Sequence, residues 1–323
     1  MSAENAGMKP SIIPERSSLV SRWPHRLAVV TAGATLLLLF IGGLVTSKGA
    51  GLAVPDWPTT FGYNMFLYPW SKMVGGIFYE HSHRLVASAV GMLTIALALM
   101  LWFRERRNWL RWLGVFALVL VVVQGVLGGL RVVLLEDTLA VIHASFAQAF
   151  FALMVSLAIF TSAEWREEPR PEALEDGARL RRLCAITTGL IYVQAVFGAV
   201  LRHTGERLDA HLLFAALVAV HVILVVRRIA RFHSDRPKLV RPVSALLFLL
   251  FVQLALGVGS YLGKFTTMLR LPMDALVFLT TSHLVVGALM VAGGLLLTLR
   301  AHRLCARPAP LAGREILTEP FSA

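Results

Sequence analysis

The chain has 323 residues, of which 57% are hydrophobic and 15% are charged, and its formal net charge at pH 7 is +12. One water-soluble core cannot bury so much apolar surface, so the composition excludes an ordinary soluble enzyme and indicates a polytopic membrane protein. The positive charge does not require a nucleic-acid partner, because basic residues that face anionic lipid at the inner membrane surface account for it.

Eight apolar stretches of about 20 residues are each long enough to cross about 30 Å of hydrocarbon as a helix. They cover residues 27–47, 78–103, 110–134, 138–162, 183–201, 209–229, 242–262 and 275–299. The sequence therefore predicts an all-α polytopic membrane protein with eight transmembrane helices. The first stretch follows a polar, basic segment and precedes no small-residue cleavage site, so we interpret it as a span and not as a signal peptide.

Basic residues are concentrated in the two terminal segments and in the loops that follow the even-numbered spans. Because cytoplasmic loops carry the excess of Lys and Arg, both termini are predicted to be cytoplasmic. We expect the membrane to be the cell (plasma) membrane, because we find no organelle transit segment before the first span.

Internal similarity divides the chain into two halves of four spans. The first and fifth spans end with "GGLVTSKG" (42–49) and "GAVLRHTG" (198–205), and the third and seventh contain "QGVLG" (124–128) and "QLALG" (253–257). Such repeats predict two pseudo-symmetric four-helix bundles. The predicted segments are a cytoplasmic tail (1–26), an N-terminal half (27–162), a cytoplasmic linker (163–182), a C-terminal half (183–299) and a cytoplasmic tail (300–323).

Each even-numbered span has a histidine in its first third: His83, His143, His211 and His283. These four residues are predicted at similar depth near the outer face. The second and fourth helices of an up-down bundle face each other diagonally, so each half could clamp one planar metal cofactor between two imidazoles, as haem iron is often held. Intramembrane ionisable residues are energetically costly, which favours ligands over interfacial histidines.

The other histidines do not extend this pattern. His203 is predicted in an outer loop, and His221, ten residues after His211, has no partner at its own depth. The sequence therefore predicts one layer of haem sites and not two.

Glu80 precedes His83 by three residues, so both side chains project to one face of the second span. The equivalent position before His211 is Leu208. This asymmetry indicates that one half performs chemistry while the other stores or passes electrons, although Glu80 could instead form a helix-end ion pair with Arg84. Three arginines near the outer ends could contact haem propionates: Arg84, Arg131 and Arg202.

The sequence resembles the haem A synthase family. The resemblance rests on the eight spans in two halves, on "GAGLAVPDWP" (49–58), on "EHSHR" (80–84), and on the histidines that open spans four, six and eight. It implies that haem O is the substrate, bound through His83 and His143, and that haem b is a cofactor, bound through His211 and His283. It also implies that Glu80 is the catalytic carboxylate, near a haem O methyl group that is oxidised through an alcohol to a formyl group.

The chain departs from some members of this family because its outer loop contains no cysteine pair. Its two cysteines, Cys184 and Cys305, are predicted on the inner side, so we expect no thiol-based role for the outer loop. Three alternatives stay open: a bis-histidine cytochrome b-type electron carrier, a haem-handling transporter, and a haem-free transporter, which would leave the four matched histidines unexplained. Haem O synthase, terminal oxidase assembly factors and a quinone or another redox molecule are candidate partners, beside membrane lipid.

Overall fold

The computed structural model describes residues 22–167 and 176–305. Within these residues the chain forms nine α-helices: α1 (Trp23–Ser47), α2 (Gly75–Arg104), α3 (Asn108–Leu134), α4 (Asp137–Thr161), α5 (Ala163–Arg166), α6 (Gly177–Thr204), α7 (Leu208–Phe232), α8 (Pro237–Phe265) and α9 (Met273–Leu304). Most of the predicted tails and part of the predicted linker, residues 1–21, 168–175 and 306–323, lie outside the described residues.

All of these helices except α5 are long and apolar enough to cross a membrane, which confirms the prediction of an all-α protein with eight spans. The helices extend beyond the apolar stretches at several ends. Helix α6, for example, begins at Gly177, inside the predicted linker, and continues to Thr204. The hydrocarbon thickness determines the length of an apolar stretch, whereas the backbone hydrogen bonds of a helix continue until a local signal stops them.

Proline and glycine provide some of these signals. Pro24 lies in the first turn of α1, and Pro237 begins α8, where a missing N–H removes no intrahelical bond. Helix α6 ends at Gly205, which has φ +75° and donates its N–H to the Leu201 carbonyl. This left-handed conformation is readily adopted by glycine and stops the helix at a defined residue.

The eight long helices form two rings of four. In the first ring α1 contacts α2, α2 contacts α3, α3 contacts α4, and α4 contacts α1; α6 to α9 follow the same order in the second ring. The rings meet through α1 and α4 on one side and α6 and α9 on the other. Within each ring the histidine-bearing helices are diagonal to each other. The pseudo-symmetry that the repeats predict stays a prediction.

The apolar core of each half lies toward the end where the linker joins the halves, here called the linker end. Fully buried core residues of the first half include Leu97, Leu101, Leu110 and Met154, and those of the second half include Leu180, Val222, Leu246 and Leu297. The four matched histidines lie toward the opposite end, here called the histidine end. Dense apolar packing at the linker end fixes the helices, so that the histidine end presents polar side chains on a rigid frame.

Candidate functional site

Each of the four matched histidines contacts a glycine on the long helix that precedes its own. A Cβ atom added at the glycine would lie 3.0 to 3.3 Å from the nearest imidazole atom. The pairs are Gly42 with His83, Gly128 with His143, Gly198 with His211, and Gly257 with His283. These distances are shorter than ordinary van der Waals contacts of carbon, so glycine lets each imidazole lie directly against the neighbouring backbone.

The histidines of the second half face each other across their ring. The imidazole centroids of His211 and His283 are 6.2 Å apart and their planes are inclined at 69°. With metal–nitrogen bonds of about 2 Å, two rings at this separation can share one metal ion. In the first half, His83 lies within electrostatic range of His143. The predicted pairing of these histidines as ligands stays a prediction.

Buried polar atoms around these histidines fit a bound haem. Nδ1 of His143 and Nδ1 of His283 are buried and have no hydrogen-bond partner among the described residues. A buried polar atom without a partner is costly, and a ligand or metal at the imidazole is one physical reason for it to persist. No group of three or more His, Cys, Asp or Glu side chains with metal-binding geometry occurs in the described residues. The assignment of the matched histidines as haem ligands stays a prediction.

The Glu80 carboxylate is buried, with 4% of the residue exposed, and both of its oxygens accept hydrogen bonds. Oε2 accepts from the backbone N–H of Val54 at 2.9 Å, and Oε1 accepts from Nη2 of Arg84 at 2.9 Å. The ion pair that was the alternative interpretation of Glu80 therefore exists. The pair also connects α2 to the segment between α1 and α2, residues 49–74, here called the first loop.

Arg84 holds the first loop through backbone carbonyls as well as through Glu80. Nη1 donates to the Asp56 carbonyl at 2.7 Å and to the Thr59 carbonyl at 3.0 Å, and Nη2 donates to the Val54 carbonyl at 2.8 Å. The planar guanidinium suits such a fork of acceptors better than an ammonium group does. Arg84 was predicted to contact propionates. In the structure it donates four hydrogen bonds to the protein itself, three to backbone carbonyls of the first loop and one to Glu80.

Asp56 gives the first loop its local shape. Its carboxylate accepts from the N–H groups of Phe61 and Gly62 at 2.8 and 2.9 Å and from the Thr59 hydroxyl. Burial alone raises the pKa of this carboxyl, but the hydrogen bonds from Gly62, Thr59 and Phe61 outweigh it and lower the pKa of Asp56 to about 2. The loop is therefore anchored by an ionised side chain across the physiological pH range.

Trp57 crosses from the first loop to α3. A Cβ atom at Gly129 would lie 2.2 Å from the Trp57 indole, so the ring occupies the space that a side chain at this position would need. Gly129 directly follows Gly128, the glycine that contacts His143. His81, also buried, lies under the same loop, with Nδ1 3.1 Å from the Thr60 hydroxyl and its ring 5.1 Å from that of Tyr68. The loop thus covers the histidine end of the first half.

Comparison with known proteins identifies the family. The family model described as "COX15-CtaA: Cytochrome oxidase assembly protein" matches residues 25–210, more than half of the chain. The chain belongs to this family. In the COX15-CtaA match, Glu80, His83 and His143 lie well inside the matched residues, and His211 and His283 lie beyond them.

Several curated relatives carry the name Heme A synthase. The protein of Shouchella clausii is 38% identical over 135 residues, which are 41% of this chain and 44% of the relative. The protein of Alkalihalophilus pseudofirmus is 28% identical over 184 residues (55% and 59%), and that of Bacillus licheniformis is 29% identical over 191 residues (56% and 59%). The chain thus matches about half of the length of these relatives.

The arginines predicted at the propionates lie at the histidine end of this COX15-CtaA protein. Arg131 lies within electrostatic range of Glu80 and close to the first loop, with Nη2 3.5 Å from the Gly51 carbonyl. Arg202 connects the two halves, because Nη2 donates to the Gly43 carbonyl and to the Ser47 hydroxyl, both at 2.6 Å. Their contact with propionates stays a prediction.

The structure corrects the position of His203, which was predicted in an outer loop. His203 lies in the last turn of α6 because that helix continues to Thr204. It is within electrostatic range of His143 and of three cationic side chains, Arg131, Arg202 and Lys264. This group of basic residues at the histidine end suits an anionic ligand, and the hydropathy pattern gave no signal for His203 or Lys264.

The two cysteines lie far from the histidines. Cys184 and Cys305 are buried in the apolar core of the second half, toward the linker end. Sequence reasoning also missed the glycine contacts of the histidines and the position of Gln194, whose Nε2 is 3.2 Å from Nδ1 of His211. The recurring spacing of glutamine and glycine, recognised in the third and seventh spans and present in the fifth as well (194–198), was the available signal.

Proposed function

We propose that the chain is a haem A synthase that oxidises a methyl group of haem O, through an alcohol, to the formyl group of haem A. The observation that carries the proposal is the buried carboxylate of Glu80, three residues before His83 at the histidine end of the first half. Membership of a family of cytochrome oxidase assembly proteins supports it, as do the relatives named Heme A synthase.

In this proposal the first half holds the substrate. His83 and His143 bind haem O, and the basic side chains of Arg131 and Arg202 attract its carboxylates. The first loop, fixed by Arg84 and Trp57, covers the site and limits the access of water. Haem O would thus be bound between diagonal helices with one edge turned toward Glu80.

Glu80 supports two chemical roles. Conversion of the methyl group to the alcohol takes up one water and releases two electrons and two protons, the electrons passing to an external acceptor such as a quinone. The Glu80 carboxylate can accept a proton in this step, or it can stabilise positive charge that develops on the methyl carbon before water adds to it. The hydrogen bonds from Val54 and Arg84 hold both oxygens in fixed positions, which favours electrostatic stabilisation. A carboxylate that is already oriented needs no reorganisation when the charge develops.

In the second half we propose that His211 and His283 bind haem b. Haem b, when bound, supplies a centre for electron transfer. Leu208, at the position equivalent to Glu80, begins α7 and offers no carboxylate. The second half is therefore suited to passing electrons and not to oxidation of a substrate. We further propose that both termini are cytoplasmic and that the partners are oxidase assembly factors in the cell membrane.

The test is the haem content of cells that make haem O and express this protein. Pigments are extracted and separated by chromatography from wild type, Glu80→Gln, Glu80→Ala and the control Asp209→Asn, which changes an exposed carboxylate at the histidine end. We expect haem A from wild type and the control, and haem O or its alcohol from both Glu80 variants, with haem still bound. Haem b alone in all samples would instead identify an electron-transfer cytochrome.

A further inference from the structure

Three glutamines stand one helical turn before the glycines that contact the histidines. The spacing Gln-x-x-x-Gly occurs in α3 (124–128), α6 (194–198) and α8 (253–257). Residues four apart lie on one face of a helix, so each glutamine faces the same neighbouring helix as its glycine. Glutamine, glycine and histidine therefore form a unit that is repeated in three helix pairs.

Each glutamine amide lies close to the histidine of its unit. Nε2 of Gln194 is 3.2 Å from Nδ1 and 3.3 Å from Nε2 of His211, and Nε2 of Gln253 is 3.4 Å from Nε2 of His283. Nε2 of Gln124 donates to the backbone carbonyl of His143 at 3.3 Å. The amide of Gln253 also lies against Gly287, one turn after His283, where a Cβ atom would be 3.2 Å from Nε2.

The amide oxygens of the three glutamines, like the short distances of their amide nitrogens to the histidines, point to a ligand at these side chains. Oε1 of Gln124, Gln194 and Gln253 is buried in each case and has no hydrogen-bond partner among the residues described. An imidazole that binds a metal through one nitrogen carries a proton on the other and needs an acceptor for it. Rotation of the Gln194 or Gln253 amide by 180° about its last bond exchanges its N and O atoms and presents that acceptor to the imidazole. The Gln124 amide donates to the backbone carbonyl of His143 and therefore fixes the backbone at this histidine.

The fourth helix pair departs from the pattern. In α1 the residue four positions before Gly42 is Leu38, so His83 is next to a glycine but has no glutamine in this position. The second half has two glutamines for its two histidines, and the first half has one. Two oriented imidazole ligands slow the dissociation of a haem, which suits a cofactor that the protein retains. A substrate haem has to dissociate after each reaction.

We propose that Gln194 and Gln253 are positioning residues that hold the imidazoles of a haem-binding pair, that Gln124 fixes the backbone at His143, and that Leu38 makes the His83 side of the first half the exchangeable one. The inference rests on the proposed function, since it distinguishes a substrate haem from a resident haem. A hydrogen bond to the ring nitrogen that is free of metal orients the imidazole and raises its basicity.

The first experiment measures the haem of the second half in protein purified from cells that make haem b and no haem O, with His83→Ala and His143→Ala in every sample so that haem b in the first half does not contribute. Gln194→Leu and Gln253→Leu are compared with Gln148→Leu, which replaces another buried glutamine with an unpartnered Oε1. We expect the first two to transfer haem b to an excess of a haem-accepting protein about 10- to 100-fold faster than wild type. Their reduction potential should rise, because a less basic imidazole stabilises ferric iron less. Gln148→Leu should change neither quantity.

Gln253→Glu keeps the size of the side chain and supplies a stronger acceptor, so the reduction potential should fall. A purely structural role would not produce shifts of opposite sign in Gln253→Leu and Gln253→Glu. The proposal is overturned if retention and potential in Gln253→Leu match wild type, or if Gln148→Leu has the same effect.

The second experiment adds the missing amide. Leu38→Gln should slow the loss of haem from the first half by about 10- to 100-fold and leave the second half unchanged. An unchanged rate would overturn the role of Leu38. Because both experiments use haem b and count binding, their outcome is independent of haem A formation. Glutamine effects without haem A would refute the proposed function alone, and haem A without glutamine effects would refute this inference alone.

Discussion

Oε2 of Glu80 accepts a hydrogen bond from the backbone N–H of Val54 at 2.9 Å, so the candidate catalytic carboxylate is bonded directly to the first loop. Val54 is completely buried and Glu80 is 4% exposed. The chemistry proposed for the first half therefore depends on how the loop is seated. Changes in the loop should alter the site even where no histidine is touched.

Replacement of Arg84 should release the first loop. Arg84→Gln leaves the Glu80 carboxylate and three loop carbonyls without their cation, and breaking a buried ion pair on one side costs about 3–5 kcal/mol. Thermal unfolding in detergent and protease cleavage within residues 49–74 measure the loss. The control is Arg207→Gln, which breaks an exposed pair with Asp209 and should cost about 0–1 kcal/mol. Equal stability losses in the two variants would contradict this role of Arg84.

A methyl group at Gly128 should displace His143. In Gly128→Ala the new Cβ would lie 3.1 Å from Cε1 of His143, whereas Gly125→Ala, one turn earlier in α3, meets nothing within 4 Å. We expect Gly128→Ala to lower haem occupancy of the first half by about tenfold, since ligand orientation controls metal affinity. Gly125→Ala should keep its haem and gain up to about 1 kcal/mol of helix stability. The haem content per chain, measured by absorbance, checks the expectation for each variant. Full haem occupancy in Gly128→Ala would show that His143 needs no glycine beside it.

The contact between Trp57 and Gly129 should control loop closure without touching a histidine. Gly129→Ala places a Cβ 2.2 Å from the indole, so the ring has to move away from α3. The expected result is faster cleavage of the first loop and less haem A, with haem b of the second half unchanged. Gly125→Ala is again the control in the same helix. Normal cleavage and normal haem A in Gly129→Ala would mean that the loop closes without this contact.

Acid should loosen the first loop through Asp56. The pKa of Asp56 in the folded protein, about 2, lies below the value of about 3.9 for an unfolded chain. A carboxyl with a lowered pKa stabilises the fold above about pH 3.9, and this stabilisation is lost as the pH falls toward 2. Hydrogen exchange of the Phe61 and Gly62 amides, relative to unfolded peptide, should lose protection in this window. In Asp56→Asn the protection should be lower and independent of pH there, and a wild-type profile in this variant would exclude Asp56 as the cause.

The bounds of α6 illustrate what hydropathy predicts and what it misses. The apolar stretch 183–201 identified the helix, yet α6 extends from Gly177 to Thr204. The polar last turn contains His203, which sequence reasoning assigned to a loop, because a hydropathy window ends where the lipid contact ends. The contact of Trp57 with Gly129 was also invisible, since it joins a loop to a helix 72 positions later in the chain.

The sequence by itself determined that this protein has eight membrane-length helices and that Glu80, His83, His143, His211 and His283 stand at recurring positions within them. The length of an apolar stretch and the spacing of residues within it are local properties, so both can be predicted directly from the amino-acid sequence. Only the tertiary structure decided that each of these histidines lies against a glycine of the preceding helix, that three of them have a glutamine beside them, and that Glu80 is bonded to the first loop. Those relationships depend on the rotation and separation of neighbouring helices, which the packing of side chains from distant parts of the chain sets.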